Sequence, residues 1–246
     1  MSPIVEAHDL HVGAGTTKLL RNVALTVMPG ERVALVGHNG AGKSTMLRAM
    51  SGFATVTHGT LRVLDTELNR VPRASALRRL RRRVALVHQG LHLVDRLSAL
   101  ENVLVASAGR HGSPLTWIGH WPAAERSGAL SALDRVGMAW AAARRTDSLS
   151  GGERQKVAIA RALHQDAPIV LADEPTASLD ANAADEIAGL LASVVVERGA
   201  SLICVVHDLD LVPQLAERAI VMRHGRMVAD VAVTPATPSE LRPLLQ

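Results

Sequence analysis

The stretch GHNGAGKST, residues 37–45, limits what this chain can fold into more than any other. It follows RVALV, a short apolar and β-branched run, and it opens a segment with helical spacing. The spacing fits G-x-x-x-x-G-K-[ST], with Gly37, Gly42, Lys43 and Ser44 at the fixed positions and Thr45 after them. His38, Asn39, Gly40 and Ala41 fill the loop between. Glycines let backbone N–H groups turn inward around phosphate oxygens, and the helix N-terminus adds partial positive charge. Lys43 is expected to bridge the phosphates of a nucleotide and Ser44 to ligate Mg2+. A glycine turn that merely precedes a lysine is the competing reading. A chain with three lysines in all makes that coincidence a poor account.

Further short runs end at turn or polar residues: RVALVG (32–37), RVALVHQ (83–89), IVLADE (169–174) and SLICVVH (201–207). Their near-continuous apolar character predicts strands covered on both faces, as in a parallel sheet. Helical segments at 43–51, 152–166 and 181–197 alternate with them, which predicts an α/β fold with crossover helices. The start (IVEAHDLHV, NVALTVMPGE) and the end (RAIVMRHGRMVADV) read as antiparallel pairs, with PG and HG as turns. Residues 91–149 differ. Helical spacing covers 97–108 and 123–136, with RHGSPLTWIGHWP as a loop between. No repeat or low-complexity linker interrupts the chain, so one domain is expected over 1–246. Its core takes 1–90 and 150–246, and 91–149 form an inserted helical sub-domain.

With 246 residues, 48% of them apolar, the chain is long enough for a sizeable core. No apolar run approaches the roughly 20 residues that span a bilayer, and MSPIVEAHDL has no secretory pattern. The lone cysteine, Cys204, lies in an apolar run and reads as a buried thiol rather than a nucleophile. Net charge is +4 although the pI is about 10.1, because tyrosine is absent and nearly all cations are arginine. The densest patch, LRRLRRRV (77–84), is either a phosphate-binding face or a solvated helix face contacting acidic neighbours; the second is preferred. Aromatic residues make up 2%, which argues against stacking on single-stranded nucleic acid.

In IVLADE the apolar run ends at Asp173 and Glu174, placing two acids at the carboxyl edge of a sheet, where open α/β sheets bind ligands. Asp173 is expected to orient Mg2+ and Glu174 to act as general base for the water that attacks a γ-phosphate.

GHNGAGKST, LSGGERQ (149–155), IVLADEPTASLD (169–180) and VVHD (205–208), in this order, resemble the ATP-binding cassette ATPases over essentially the whole chain. The resemblance implies a P-loop NTPase, RecA-like parallel-sheet core, an antiparallel β sub-domain and a helical sub-domain ending in the LSGGE signature. It implies a head-to-tail pair in which each ATP is held by the phosphate loop of one copy and the signature of the other. Ser150, Gly151, Gly152 and Glu153 would then be half of a site. Gln89 matches the glutamine that senses the γ-phosphate and Mg2+, Asp180 the interface aspartate, and His207 the histidine that steadies the attacking water. One departure stands out: the family's adenine-stacking aromatic falls at Ala14, with His11 the nearest ring. Weaker ATP binding or looser base choice is implied.

LHLVDRLSALENVLVASAGR (91–110), a tryptophan-containing loop with Trp117 and Trp121, and ALSALDRVGM (129–138) are similar to the ATPase of bacterial phosphonate importers. That similarity implies a second copy of the chain, two membrane permease subunits and a periplasmic substrate-binding protein as partners, no nucleic acid, and a peripheral place on the cytoplasmic face of the cell membrane. The alternatives are another importer, an exporter or lipoprotein-release ATPase, a soluble protein of the same family, and a nucleotide-binding module that does not hydrolyse.

Overall fold

A computed structural model describes residues 2–14, 17–69, 72–111, 116, 119–177 and 179–245. Its strands are β1 (Val5–Ala14), β2 (Thr17–Val27), β3 (Arg32–Val36), β4 (Val56–Val63), β5 (Thr66–Glu67), β6 (Val84–Val87), β7 (Ile169–Asp173), β8 (Ser201–Val205), β9 (Arg218–Arg223) and β10 (Arg226–Ala232). Its helices are α1 (Lys43–Met50), α2 (Ala74–Arg82), α3 (Ala99–Leu104), α4 (Ala123–Arg135), α5 (Gly151–Gln165), α6 (Ala181–Glu197), α7 (Val212–Leu215) and α8 (Thr237–Leu244).

Six strands form one sheet in the order β10-β9-β3-β8-β7-β6. From β9 to β6 they run parallel, and β10 returns antiparallel to β9 through the expected HG turn, where His224 and Gly225 both have positive φ. The other sheet, β2-β1-β4-β5, is antiparallel throughout. Alternation along the parallel strands divides the core. Ala34, Val36, Leu202 and Cys204 face the side packed by α3 to α6, while Val33, Leu35, Ile203 and Val205 face α1 and the antiparallel sheet. Cys204 is fully buried, and burial pushes its thiol pKa up, so it behaves as a small apolar residue.

Because five strands are parallel, their carboxyl ends share one edge. The loops after β3, β6, β7 and β8 therefore carry Gly37, Gln89, Glu174 and His207 to the same side of the sheet. The run 83–89 is a strand only to Val87, which frees Gln89 for this loop.

The helical expectation at 97–108 is met in part. α3 starts after Ser98, which forms a capping box with Glu101, and ends at Leu104; a 3-10 turn covers Val105–Ser107. Ser107 Oγ donates to the Leu104 carbonyl (2.9 Å), tightening that last turn. Trp121 packs against the helical core, while Trp117 lies outside the described residues. In α2 only Leu80 is buried. Arg81 lies 4.0 Å over the Phe53 ring and donates to the Gly52 carbonyl, and Arg83 pairs with Asp65. Arg81 and Arg83 are thus engaged with their own chain, while Arg78, Arg79 and Arg82 are exposed.

Asn102 joins the segments before α3 and α5. Its Oδ1 accepts from Val94 N–H (2.8 Å) and its Nδ2 reaches the carbonyls of Val94 (3.1 Å) and Ser98 (3.1 Å). The side chain is buried, so Asn102→Ala should cost about 1–3 kcal/mol in a urea titration, the usual range for stranding buried polar partners. Glu125 makes a second tie, accepting from His111 (2.7 Å) and Arg110 (2.9 Å). Burial raises its pKa, but those donors outweigh burial and lower it to about 2. A depressed carboxyl stabilises above its unfolded value, 4.5, and that stabilisation is lost as pH falls toward about 2. Glu125→Gln should therefore be less stable than the native chain at pH 4.5, with the difference closing as pH approaches 2 in acid titrations followed by circular dichroism.

Candidate functional site

The phosphate loop leaves β3 at Gly37 and enters α1 at Gly42, the N-cap residue, held at φ 104° with no side-chain cap. The first bond into the helix runs from Met46 N–H to the Gly42 carbonyl (2.9 Å). The N–H groups of Lys43, Ser44 and Thr45 thus lack intrahelical acceptors, and all three residues line a cleft of about 870 Å3. Unsatisfied N–H groups at the positive end of a helix form a ready anion cradle. Lys43 is nearly buried; its ammonium donates to the carbonyls of Gly37 (2.6 Å) and His38 (3.0 Å). Desolvation lowers its pKa, and the charges of Glu174 and Asp173 oppose that shift. The β9–β10 turn braces the loop from behind, Gly225 N–H donating to the Ala41 carbonyl (3.0 Å).

Asn39, Gly40, Gln89, Glu174, Thr176, His207 and Asp208 also line the cleft. Glu174 sits just past β7 in the left-handed region (φ 49°), its N–H tied to the Val205 carbonyl (3.2 Å). A bulky acid in that conformation costs energy, and such strain concentrates at working sites. Gln89 Nε2 donates to Glu174 Oε2 (2.9 Å), so two loops from different strands meet at one carboxylate. Asp173 opens on the adjoining hollow with Ser44 and Gln89, and accepts from Ser44 Oγ at 2.9 Å. A hydroxyl and a carboxylate in contact are hard oxygen donors, and this set fits Mg2+ completed by phosphate oxygens and water.

The signature stands apart. Ser150, Gly151, Gly152 and Glu153 are not among the residues of the cleft wall. Ser150 is the N-cap of α5, its Oγ accepting from Glu153 N–H (3.3 Å), and Glu153 returns its carboxylate to Ser150 N–H (2.7 Å). Glu153 is thus occupied in holding the helix start, and the cap is Ser150, not a glycine. Ser150 and Gly151 are exposed, and Ser150 Oγ keeps its own proton to donate. Asp180 is exposed and caps α6 by accepting from Ala183 N–H (3.0 Å); its neighbours Leu179 and Ala181 line the cleft while Asp180 does not.

Residues 20–177 match the family described as ABC transporter. The phosphonates import ATP-binding protein PhnC of Frankia casuarinae is 43% identical over 89% of this chain and 86% of its own length. The phosphate-import ATP-binding protein PhnC of Mycolicibacterium smegmatis is 42% identical over 99% of this chain and 92% of its own. The dimeric cassette MJ0796, in a post-hydrolysis state with ADP and Pi, superposes with a TM-score of 0.81 at 30% identity, covering 94% of this chain and 99% of that one. The cassette cbiO1 of Clostridium perfringens, part of the transporter complex cbiONQ, gives 0.82 at 26% identity over 98% and 91%.

The chain belongs to the ABC transporter family. It has the P-loop fold of the family's ATPases, a nucleotide-binding α/β core with an antiparallel β layer and inserted helices. Several residues of this ABC ATPase's cleft were not singled out from the sequence, among them Leu19, Thr176 and Asp208. Leu19 had a readable signal. In a strand two consecutive leucines face opposite ways; Leu20 is fully buried, and Leu19 turns outward at 39% exposure onto the cleft. Thr176 and Asp208 gave none, since each only follows a motif residue.

Gly37 tests the loop's construction. A Cβ there would lie 2.3 Å from the Met222 carbonyl oxygen and 3.2 Å from the Ala41 Cβ. Gly37→Ala should lower stability by about 1–3 kcal/mol, the cost of a strained backbone, seen as a lower thermal midpoint.

Proposed function

We propose that this ABC ATPase powers an importer of phosphonates, converting ATP binding into closure of two copies of itself and hydrolysis into reopening. One observation carries the reading: a complete phosphate cradle and an exposed, pre-capped LSGGE helix occupy the same chain at separate places. Each supplies anion-binding groups that the other lacks, so two copies related head to tail make two whole sites. The whole chain, 1–246, is read as one ATPase domain, with 1–90 and 150–246 as core and 91–149 as the helical sub-domain.

In this mechanism the loop from Gly37 to Thr45 binds the β- and γ-phosphates through backbone N–H groups and Lys43. Ser44 and Asp173, with Gln89, would hold Mg2+, which would neutralise phosphate charge. Glu174 takes a proton from the attacking water as its oxygen bonds to the γ-phosphorus and the bond to ADP breaks. Gln89, already bonded to Glu174, reports the γ-phosphate to the sub-domain, and His207 steadies the water. From the second copy, Ser150 donates to the γ-phosphate, Gly151 and Gly152 let the backbone approach, and Asp180 lies at the seam. Leu19 offers the base an apolar contact where the family's aromatic is absent. Closure follows because ATP has more partners in the closed pair than in the open one.

Two permease subunits would dock near Gln89 and the 91–105 stretch, where Val94, Val105 and Phe53 expose apolar surface. None of the described helices is long and apolar enough to cross a membrane. In this reading the permease holds the chain peripherally on the cytoplasmic face. A substrate-binding protein on the far side would select the cargo. The Frankia relative's name supports phosphonate, and the Mycolicibacterium relative's name supports phosphate as the second reading.

Two experiments test this. Glu174→Gln should cut ATP turnover by about 10²–10⁴-fold, the usual worth of a general base, while ATP-driven pairing persists in gel filtration. Gly151→Asp, at an exposed position where an added Cβ meets nothing nearer than 4.0 Å, should spare the fold and abolish both pairing and turnover. Unchanged turnover in Glu174→Gln sinks the hydrolytic reading. For cargo, ATPase activity of the reconstituted transporter should rise with phosphonate-loaded receptor; a rise with phosphate-loaded receptor alone selects the second reading.

A further inference from the structure

The last described helix, α8, is seated rather than loosely attached. Thr237 and Leu241 are fully buried, and Leu245, just past its end, packs against the core. Its final turn touches two loops of the cleft. Arg242 donates to both carboxylate oxygens of Asp210 (3.0 and 3.3 Å). Asp210 lies in the 3-10 turn Leu209–Leu211 that directly follows His207 and Asp208. The Leu245 carbonyl accepts from His38 Nε2, and His38 is the second residue of the phosphate loop. A carbonyl can only accept, so Nε2 carries the proton. The main-chain carbonyl of the same His38 holds the Lys43 ammonium.

We propose that α8 is a positioning strap, with Arg242, Asp210 and His38 as positioning residues that keep the phosphate loop and the His207 segment in register. The inference rests on the reading of His207 given above. The two loops leave different strands, β3 and β8, and both line the cleft. Leu245 N–H donates to the Arg242 carbonyl (3.3 Å), so a shift of either loop must bend or break a bond to the same short piece of backbone. The Arg242–Asp210 pair is largely exposed on both sides, and exposed pairs contribute little to folding stability. Its effect should therefore fall on alignment, and the strap separates from a merely structural contact by its readout.

The full chain assembled with its permease would be assayed for ATP turnover, with nucleotide binding and thermal midpoint measured on the same variants. Arg242→Ala, Asp210→Ala and His38→Ala should each lower kcat, by on the order of tenfold for a modest misplacement of reacting groups. KM for ATP should stay within about twofold and the midpoint should not move, because the phosphate cradle and the core are intact. The Arg242→Ala/Asp210→Ala double variant should be no slower than either single variant, since both remove one interaction. His38→Gln, whose amide can still donate to the Leu245 carbonyl, should recover most of the rate. Wild-type kcat in Arg242→Ala and His38→Ala overturns the strap if His207→Ala abolishes turnover. Full turnover in His207→Ala instead removes the reading beneath it. A loss confined to KM, or a lower thermal midpoint in step with kcat, also overturns it.

Discussion

Gly37 and the Met222 carbonyl lie so close that no side chain fits between them, and the rest of the site is arranged around that approach. β3 and β9 are neighbouring parallel strands, so the loop leaving β3 must pass the end of β9. With no Cβ at Gly37, the loop can turn there and the β9–β10 hairpin can reach over to bond Ala41. The loop is then held by the sheet itself, and α1 starts with its free N–H groups at a fixed place. Lys43, Ser44 and Thr45 reach the cleft through that geometry.

A parallel sheet does the remaining assembly. Gln89, Glu174 and His207 are distant in sequence, yet each follows a parallel strand and so arrives at one edge. The Gln89–Glu174 bond joins β6 and β7 across that edge. It connects the Glu174 carboxylate with the segment that leads into the helical region. A displacement of the Glu174 carboxylate therefore has a short physical route to α3, whose entry segment is held by Asn102.

Much of this was readable in advance. Unbroken apolar runs ending at turn or polar residues located β3, β7 and β8, because strands buried on both faces need apolar residues throughout. The P-loop spacing located the anion cradle, and the LSGGE string located α5 with Ser150 before it. Other features were invisible for physical reasons. β4 alternates around Gly59 and a mostly exposed face, so its run lacks a clean apolar signal. Arg81 reads as a solvated charge, and only the fold reveals Phe53 and two carbonyls within its reach. Glu153 belongs to a phosphate-binding string by resemblance, while its carboxylate is committed to the Ser150 N–H. A one-dimensional motif marks the residue without saying which way it turns.

That reciprocal pair at the start of α5 has a consequence for energy transfer. In the proposed head-to-tail pair, a helix end already wound and satisfied by its own residues would meet an incoming triphosphate as a finished surface. Its conformational entropy was lost when the chain folded, so little ordering is left to oppose docking. Attraction between protein and nucleotide is then available to move whole bodies against one another, which is the work a membrane partner can use.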